Sequence, residues 1–193
     1  MESAYKGHLS YQSKTPHTPH TVRRAIYPSL LNAPTAGTSY GGNGVWGWDD
    51  GTTHPLDHPN AGVPLRWNEA VLMSGAEQMG HLHALCASIE WWRLRSAQEI
   101  LAVQPGEEDI VRYVSAACSA ERDLAVVYLP FGGELVLKDA NGFLAGLSSR
   151  FFDPRTGAWQ SGMMREDMLG QERIVRIAAP SQDEDWVWVM AKA

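Results

Sequence analysis

The sequence predicts an α+β chain, with helices confined to its first half and an antiparallel β-sandwich forming its second. Two observations carry this. Hydrophobic residues recur at helical spacing before residue 90 and alternate in short runs after residue 110. The composition shifts at the same place: all seven His fall within residues 1–83 and seven of the eleven Pro within residues 1–64, whereas residues 101–193 hold 14 of the 22 acidic residues. Residues 1–104 and 107–193 therefore read as two units, joined at Gln104-Pro105-Gly106-Glu107-Glu108.

In order along the chain, residues 9–20 are polar with two prolines and read as an exposed loop. Thr21–Asn32 places Val22, Ile26 and Leu30 on one helical face, and Pro28 predicts a kink within it. Residues 35–40 read as a short strand. Gly41-Gly42-Asn43-Gly44 then turns the chain into an aromatic tract ending at Gly51, and residues 52–65 form a long loop with three prolines. A helical turn over Trp67–Met73 precedes the clearest helix, residues 74–89. There Ser74-Gly75-Ala76-Glu77 has capping-box spacing, and Met79, Leu82, Leu85 and Ile89 make an apolar stripe.

Seven short runs read as strands: Ile110–Ala117, Leu124–Leu129, Glu134–Lys138, Phe143–Leu147, Ser149–Phe152, Arg173–Ala178 and Trp186–Met190. In the last of these, alternation puts Trp186 and Trp188 on one face, which reads as core.

The balance of 16 basic and 22 acidic residues, a formal net charge of -6, argues against nucleic acid as a partner. No apolar run has the length of a membrane span, and Met1–Ser10 lacks the apolar core of a signal peptide. Cys86 and Cys118 read as two buried thiols. Gly42-Asn43-Gly44-Val45-Trp46-Gly47 has dinucleotide-loop spacing, but the Asp-, Gly- and Pro-rich segment behind it offers no helix N-terminus for a pyrophosphate, so no cofactor is expected. His54 and His58, near Asp49, Asp50 and Asp57, match no zinc or EF-hand spacing, and no metal is expected either.

The candidate binding residues are Tyr40, Trp46 and Trp48 with Asp50 and His54. Flat aromatic faces beside hydrogen-bonding groups suit a sugar ring, and packing of the same aromatics into a core is the competing reading.

Several stretches together resemble the apiosidase-like glycoside hydrolases: Val22-Arg23-Arg24-Ala25, Thr38-Ser39-Tyr40-Gly41-Gly42-Asn43-Gly44-Val45-Trp46, Trp67-Asn68-Glu69-Ala70, Ser74-Gly75-Ala76-Glu77-Gln78-Met79 and Ile89-Glu90-Trp91-Trp92-Arg93-Leu94. Leu124–Pro130, Arg150–Gly157 and Asp185-Trp186-Val187 resemble the domain that follows, the putative collagen-binding domain of a collagenase. The resemblance implies that residues 1–104 are the α-rich C-terminal remnant of a (β/α)₈ barrel, with residues 36–40 as its last strand. It also implies that Glu2, in Glu2-Ser3-Ala4-Tyr5-Lys6, corresponds to a catalytic carboxylate of a Glu-Pro-x-Tyr-Glu pattern, from which Ser3 and Lys6 depart. The implied ligand is a plant-type glycan. A glycosidase needs two carboxyls, and the resemblance places the other outside this chain, so the isolated chain is expected to be inactive. The alternatives are a β-sandwich that binds carbohydrate or protein without catalysis, and a partner chain that completes the barrel.

Overall fold

The computed structural model describes residues 4–33, 37–55, 58–139, 142–144 and 147–192. Helix α1 spans Pro19–Asn32. The Thr18 hydroxyl caps it by accepting from the Thr21 N–H, and Pro28 lies inside it as expected. A single turn, α2 (Trp67–Ala70), precedes α3 (Ser74–Ala87). The capping box does not form. Met73 is the N-cap and makes no side-chain bond, so Ser74 is already the first helical residue and its hydroxyl is one position too late to receive the orphan N–H groups.

Nine strands are found among the described residues: β1 (Leu94–Ser96), β2 (Ser115–Ser119), β3 (Leu124–Leu129), β4 (Glu134–Lys138), β5 (Leu147–Phe152), β6 (Trp159–Ser161), β7 (Met164–Leu169), β8 (Glu172–Ala178) and β9 (Trp186–Lys192). They form a six-stranded sheet, β1-β2-β3-β9-β5-β6, and a three-stranded sheet, β4-β8-β7. All pairings between named strands are antiparallel.

The expectation of an α-rich barrel fragment is overturned. The chain is mostly β, with two fourteen-residue helices and one short turn among the described residues. The physical reason lies in residues 37–66, where glycines and prolines leave no continuous helical or strand period, and the segment folds as turns tied by backbone bonds. Of the expected barrel strand over residues 36–40, Ser39 makes an isolated bridge, and residues 34–36 lie outside the described residues.

In the second half, the expected strands Leu124–Leu129 and Glu134–Lys138 are present with the expected ends, and those over residues 149–152, 173–178 and 186–190 are present with shifted ends. Ile110–Arg112 is instead a 3-10 turn, because the Asp109 carboxylate accepts from the Val111 N–H, and the strand begins at Ser115. The expected strand Phe143–Leu147 reaches outside the described residues. Phe143 and Leu144 are in a turn held by the Asp139 carboxylate, which accepts from the Leu144 N–H at 3.1 Å. β7 shows no apolar alternation because both of its faces are exposed.

The middle of the six-stranded sheet is buried on both faces. One face packs on the small sheet, with Val127, Leu129, Phe151, Trp188 and Met190 against Leu135, Leu137, Val175 and Ile177. The other packs on the helices, with Val126, Tyr128, Phe152, Val187 and Val189 against Val22, Ile26, Tyr27, Leu82 and Leu85. β9 thus sends Trp186 and Trp188 into one core and Val187 and Val189 into the other. The helices, large sheet and small sheet form three layers.

Candidate functional site

The N-terminal segment forms an irregular hairpin in which the His17 N–H donates to the His8 carbonyl at 2.9 Å and the Gly7 N–H to the His17 carbonyl at 3.0 Å. It is stitched to the glycine-rich turn by Lys6 N–H to Gly41 O and Asn43 N–H to Lys6 O, both 2.9 Å, and to the proline-rich loop by Leu9 N–H to Ala61 O at 3.1 Å. The buried Asn43 amide reaches the Gly7 and Ala61 carbonyls and ties all three segments together.

These bonds gather Tyr5, His8, Tyr11, His17, Trp46 and His58 around an open cleft of about 580 Å³. The rings touch edge to face: Trp46 on His58 with centroids 5.3 Å apart, and His8 on both His58 and Tyr11 at 5.8 Å. The His8 Nδ1–H donates to the Leu9 carbonyl at 3.2 Å. Partial burial, reinforced by His8 nearby, lowers the pKa of His17 and keeps it neutral at neutral pH. Among the described residues no carboxylate lines the cleft, and no group of three His, Cys, Asp or Glu is arranged to hold a metal ion.

The sequence-derived candidates divide among different places. Trp46 lines the cleft. Trp48 and Asp50 line a second open hollow of about 490 Å³, which also includes Arg66, Trp67 and Asn68. Tyr40 is half-buried against the helix-side core, its hydroxyl has no hydrogen-bond partner, and burial raises its pKa. His54 is exposed and lines neither hollow. Glu2 lies outside the described residues.

Two glycines let the turn approach the loop that carries Arg66 and Trp67. Gly44 has φ +109°, and a Cβ there would stand 2.3 Å from the Leu65 carbonyl oxygen. Gly51 has φ +80° and faces the Arg66 side chain. Trp48 adopts φ +50°, a left-handed conformation that costs a bulky residue about 1–2 kcal/mol and directs its indole outward, 71% exposed.

His8, Tyr11, His17 and His58 were not singled out by sequence as binding residues. They come from two segments, the N-terminal hairpin and the proline-rich loop, joined by the Leu9–Ala61 backbone bond and the Asn43 amide, and the concentration of histidine before residue 84 is the one trace of the group in the sequence.

Comparison with known proteins adds the family. Residues 1–93 match the family described as "Apiosidase-like, catalytic domain", and residues 81–191 match "Putative collagen-binding domain of a collagenase". The chain belongs to the second of these families, and its first half is similar to the apiosidase-like catalytic domain. No curated protein matches it. Its fold resembles that of a solved glycoside hydrolase, with TM-score 0.75 and 16% identity over 100% of this chain and 41% of the other. A glycoside hydrolase family 5 from Bacteroides vulgatus ATCC 8482 is similar at TM-score 0.75 and 18% identity, over 98% of this chain and 40% of the other. At such identities the likeness is one of fold. The chain spans about two fifths of the length of these structures. The two family matches overlap over residues 81–93, between the middle of α3 and the start of β1, where the helices pass into the sheet.

Proposed function

We propose that the chain is the sugar-holding C-terminal portion of an apiosidase-like glycoside hydrolase acting on plant-type glycans, and that on its own it binds saccharide without appreciable hydrolysis. The observation that carries this reading is the cleft itself. Trp46 and Tyr5 offer flat apolar faces, His8 and His58 offer edge hydrogen-bonding groups, and no carboxylate stands among the described lining. Such a lining holds an amphipathic ring, and its described residues supply neither of the two carboxyls that glycoside cleavage requires. The similarity of residues 1–93 to an apiosidase-like catalytic domain supports a glycan as the ligand.

The β-sandwich acts in this reading as a support. Four of its large aromatics point inward: Phe151 and Trp188 are fully buried, and Phe152 and Trp186 nearly so. That leaves them no face for a glycan.

Calorimetric titration of the chain with branched pectic oligosaccharides, together with analysis of released sugars, tests the proposal. Binding without turnover is expected. Trp46→Ala should weaken binding about tenfold, equivalent to about 1.4 kcal/mol. Absence of binding would sink the reading, as would turnover that Glu2→Gln abolishes.

A further inference from the structure

The geometry points to the hollow between Trp48 and Trp67 as a second saccharide-binding position, which takes an outer, uncharged sugar of the same oligosaccharide whose inner sugar occupies the histidine cleft.

Both indoles are accessible, Trp48 at 71% and Trp67 at 44%, and they meet at a centroid distance of 4.9 Å with planes inclined by 63°. Two large aromatics in contact with one another yet open to water form an L-shaped apolar corner, and the second wall fixes how a ring can lie against the first. Their positions are set by the backbone. The Trp67 N–H donates to the Asp49 carbonyl at 2.9 Å, and the Trp48 N–H donates to the Val45 carbonyl at 3.2 Å. The left-handed backbone at Trp48 is a local strain, and the side chain it places is the most exposed tryptophan of the chain.

The rim of the corner is polar. Asp50 accepts from the Thr52 N–H at 2.9 Å and from its hydroxyl at 2.7 Å, both on Oδ1, so the carboxylate is oriented and Oδ2 remains for a sugar hydroxyl. These bonds hold its pKa below the ordinary carboxylate value, so it accepts as an anion. Arg66 and Asn68 line the same hollow and add donors. An aromatic corner with one fixed acceptor and two donors matches a sugar, which has apolar faces and hydroxyl edges. A fixed carboxylate at the rim disfavours an acidic sugar.

Continuity with the cleft selects an oligosaccharide over a separate small ligand. Trp46 and Trp48 belong to one turn, with Cα atoms no more than about 7 Å apart, and they face the two hollows. A chain of sugars leaving the cleft over Trp46 meets the corner next. This inference rests on the proposed sugar-binding role of the cleft.

The test uses the whole chain, a disaccharide and a longer neutral fraction of branched pectic oligosaccharides, calorimetry and indole N–H NMR shifts. The longer fraction should perturb the indole signals of Trp48 and Trp67, and Trp48→Ala or Trp67→Ala should weaken its binding about tenfold while leaving the disaccharide unchanged. Trp48→Phe should restore most of the affinity, whereas Trp46→Ala should weaken both ligands. Unchanged binding of the longer fraction in both corner variants, with the Trp46→Ala loss intact, overturns the second position and leaves the cleft reading standing. Equal losses for both fractions in the corner variants also overturn it. Failure of either fraction to bind the unaltered chain overturns both.

Discussion

Replacing Asp185 by Ala should destabilise both halves of the chain at once. Asp185 precedes β9, is fully buried, and accepts three hydrogen bonds: Arg23 Nε at 2.7 Å, Arg23 Nη2 at 2.6 Å and the Tyr128 hydroxyl at 3.0 Å. Arg23 comes from α1 and is 3% exposed, and its Nη1 donates to Gln78 of α3 at 2.7 Å. Burial alone would lower the Arg23 pKa. The Asp185 hydrogen bonds and charge outweigh it, so the net shift is upward and the guanidinium stays charged. Asp185→Ala therefore strands a buried cation and a buried phenol. Breaking a buried pair in this way costs about 3–5 kcal/mol. At about 2–4 °C per kcal/mol for a chain of this size, the midpoint of thermal unfolding should fall by about 6–20 °C. Denaturant unfolding, followed separately by far-UV circular dichroism and by tryptophan fluorescence, should show one transition with an earlier midpoint in the variant. The double change Arg23→Met with Asp185→Leu should lose less than Asp185→Ala alone, because it removes both charges. A loss below about 1 kcal/mol in Asp185→Ala, or separate transitions for the helices and the sheets in the unaltered chain, would refute the reasoning.

Two further outcomes follow from the cleft. The folded-state pKa of His17 lies below its ordinary value of 6.5, so the unfolded chain binds the proton first; the His17 contribution to stability is intact above pH 6.5 and declines as pH falls through it. Unfolding midpoints measured across that range should show this slope reduced in His17→Gln, and an unchanged slope would count against the assignment. Gly44→Ala combines a left-handed backbone with a Cβ 2.3 Å from the Leu65 carbonyl oxygen, so it should loosen the turn that carries Trp46 and Trp48 and weaken saccharide binding more than Trp46→Ala alone. Binding equal to that of the unaltered chain would show that the turn is not what positions the indoles.

What the sequence made legible follows from the range of the forces involved. Strands such as Leu124–Leu129 and Trp186–Lys192 were visible because β-branched and aromatic residues cluster over a few positions. Helix α1 was visible because Val22, Ile26 and Leu30 repeat locally. β7 was not, since an exposed strand needs no apolar pattern; it is held by pairing to β8 and by side-chain ion pairs such as Asp167 with Arg176. The cleft was half legible. Trp46 stood out by type, whereas His8, His17 and His58 became a group only through long-range backbone bonds such as Leu9 to Ala61.

The division into two halves conceals the most consequential contact. A composition shift near residue 105 marks where the hydrophobic period changes, but the sheet already begins with β1 at Leu94, which pairs with Ser119 of β2. The helix-side core is built jointly: Tyr27 stacks on Tyr128 with centroids 4.9 Å apart, and His20 bonds the Pro130 carbonyl at 2.7 Å. Such contacts lie between faces of elements distant in sequence and leave no mark in either face alone. They also assign the sheet a role in the site. α1 follows directly from the hairpin that carries His8 and His17, and it is fixed to β3 and to the residue before β9 by burial and by the Arg23–Asp185 pair. The β-sandwich thus holds one wall of the cleft in place without contributing a residue to it. For the same reason, saccharide binding should fall in Asp185→Ala in proportion to the fraction unfolded, whereas Trp46→Ala should lose binding in a fully folded chain.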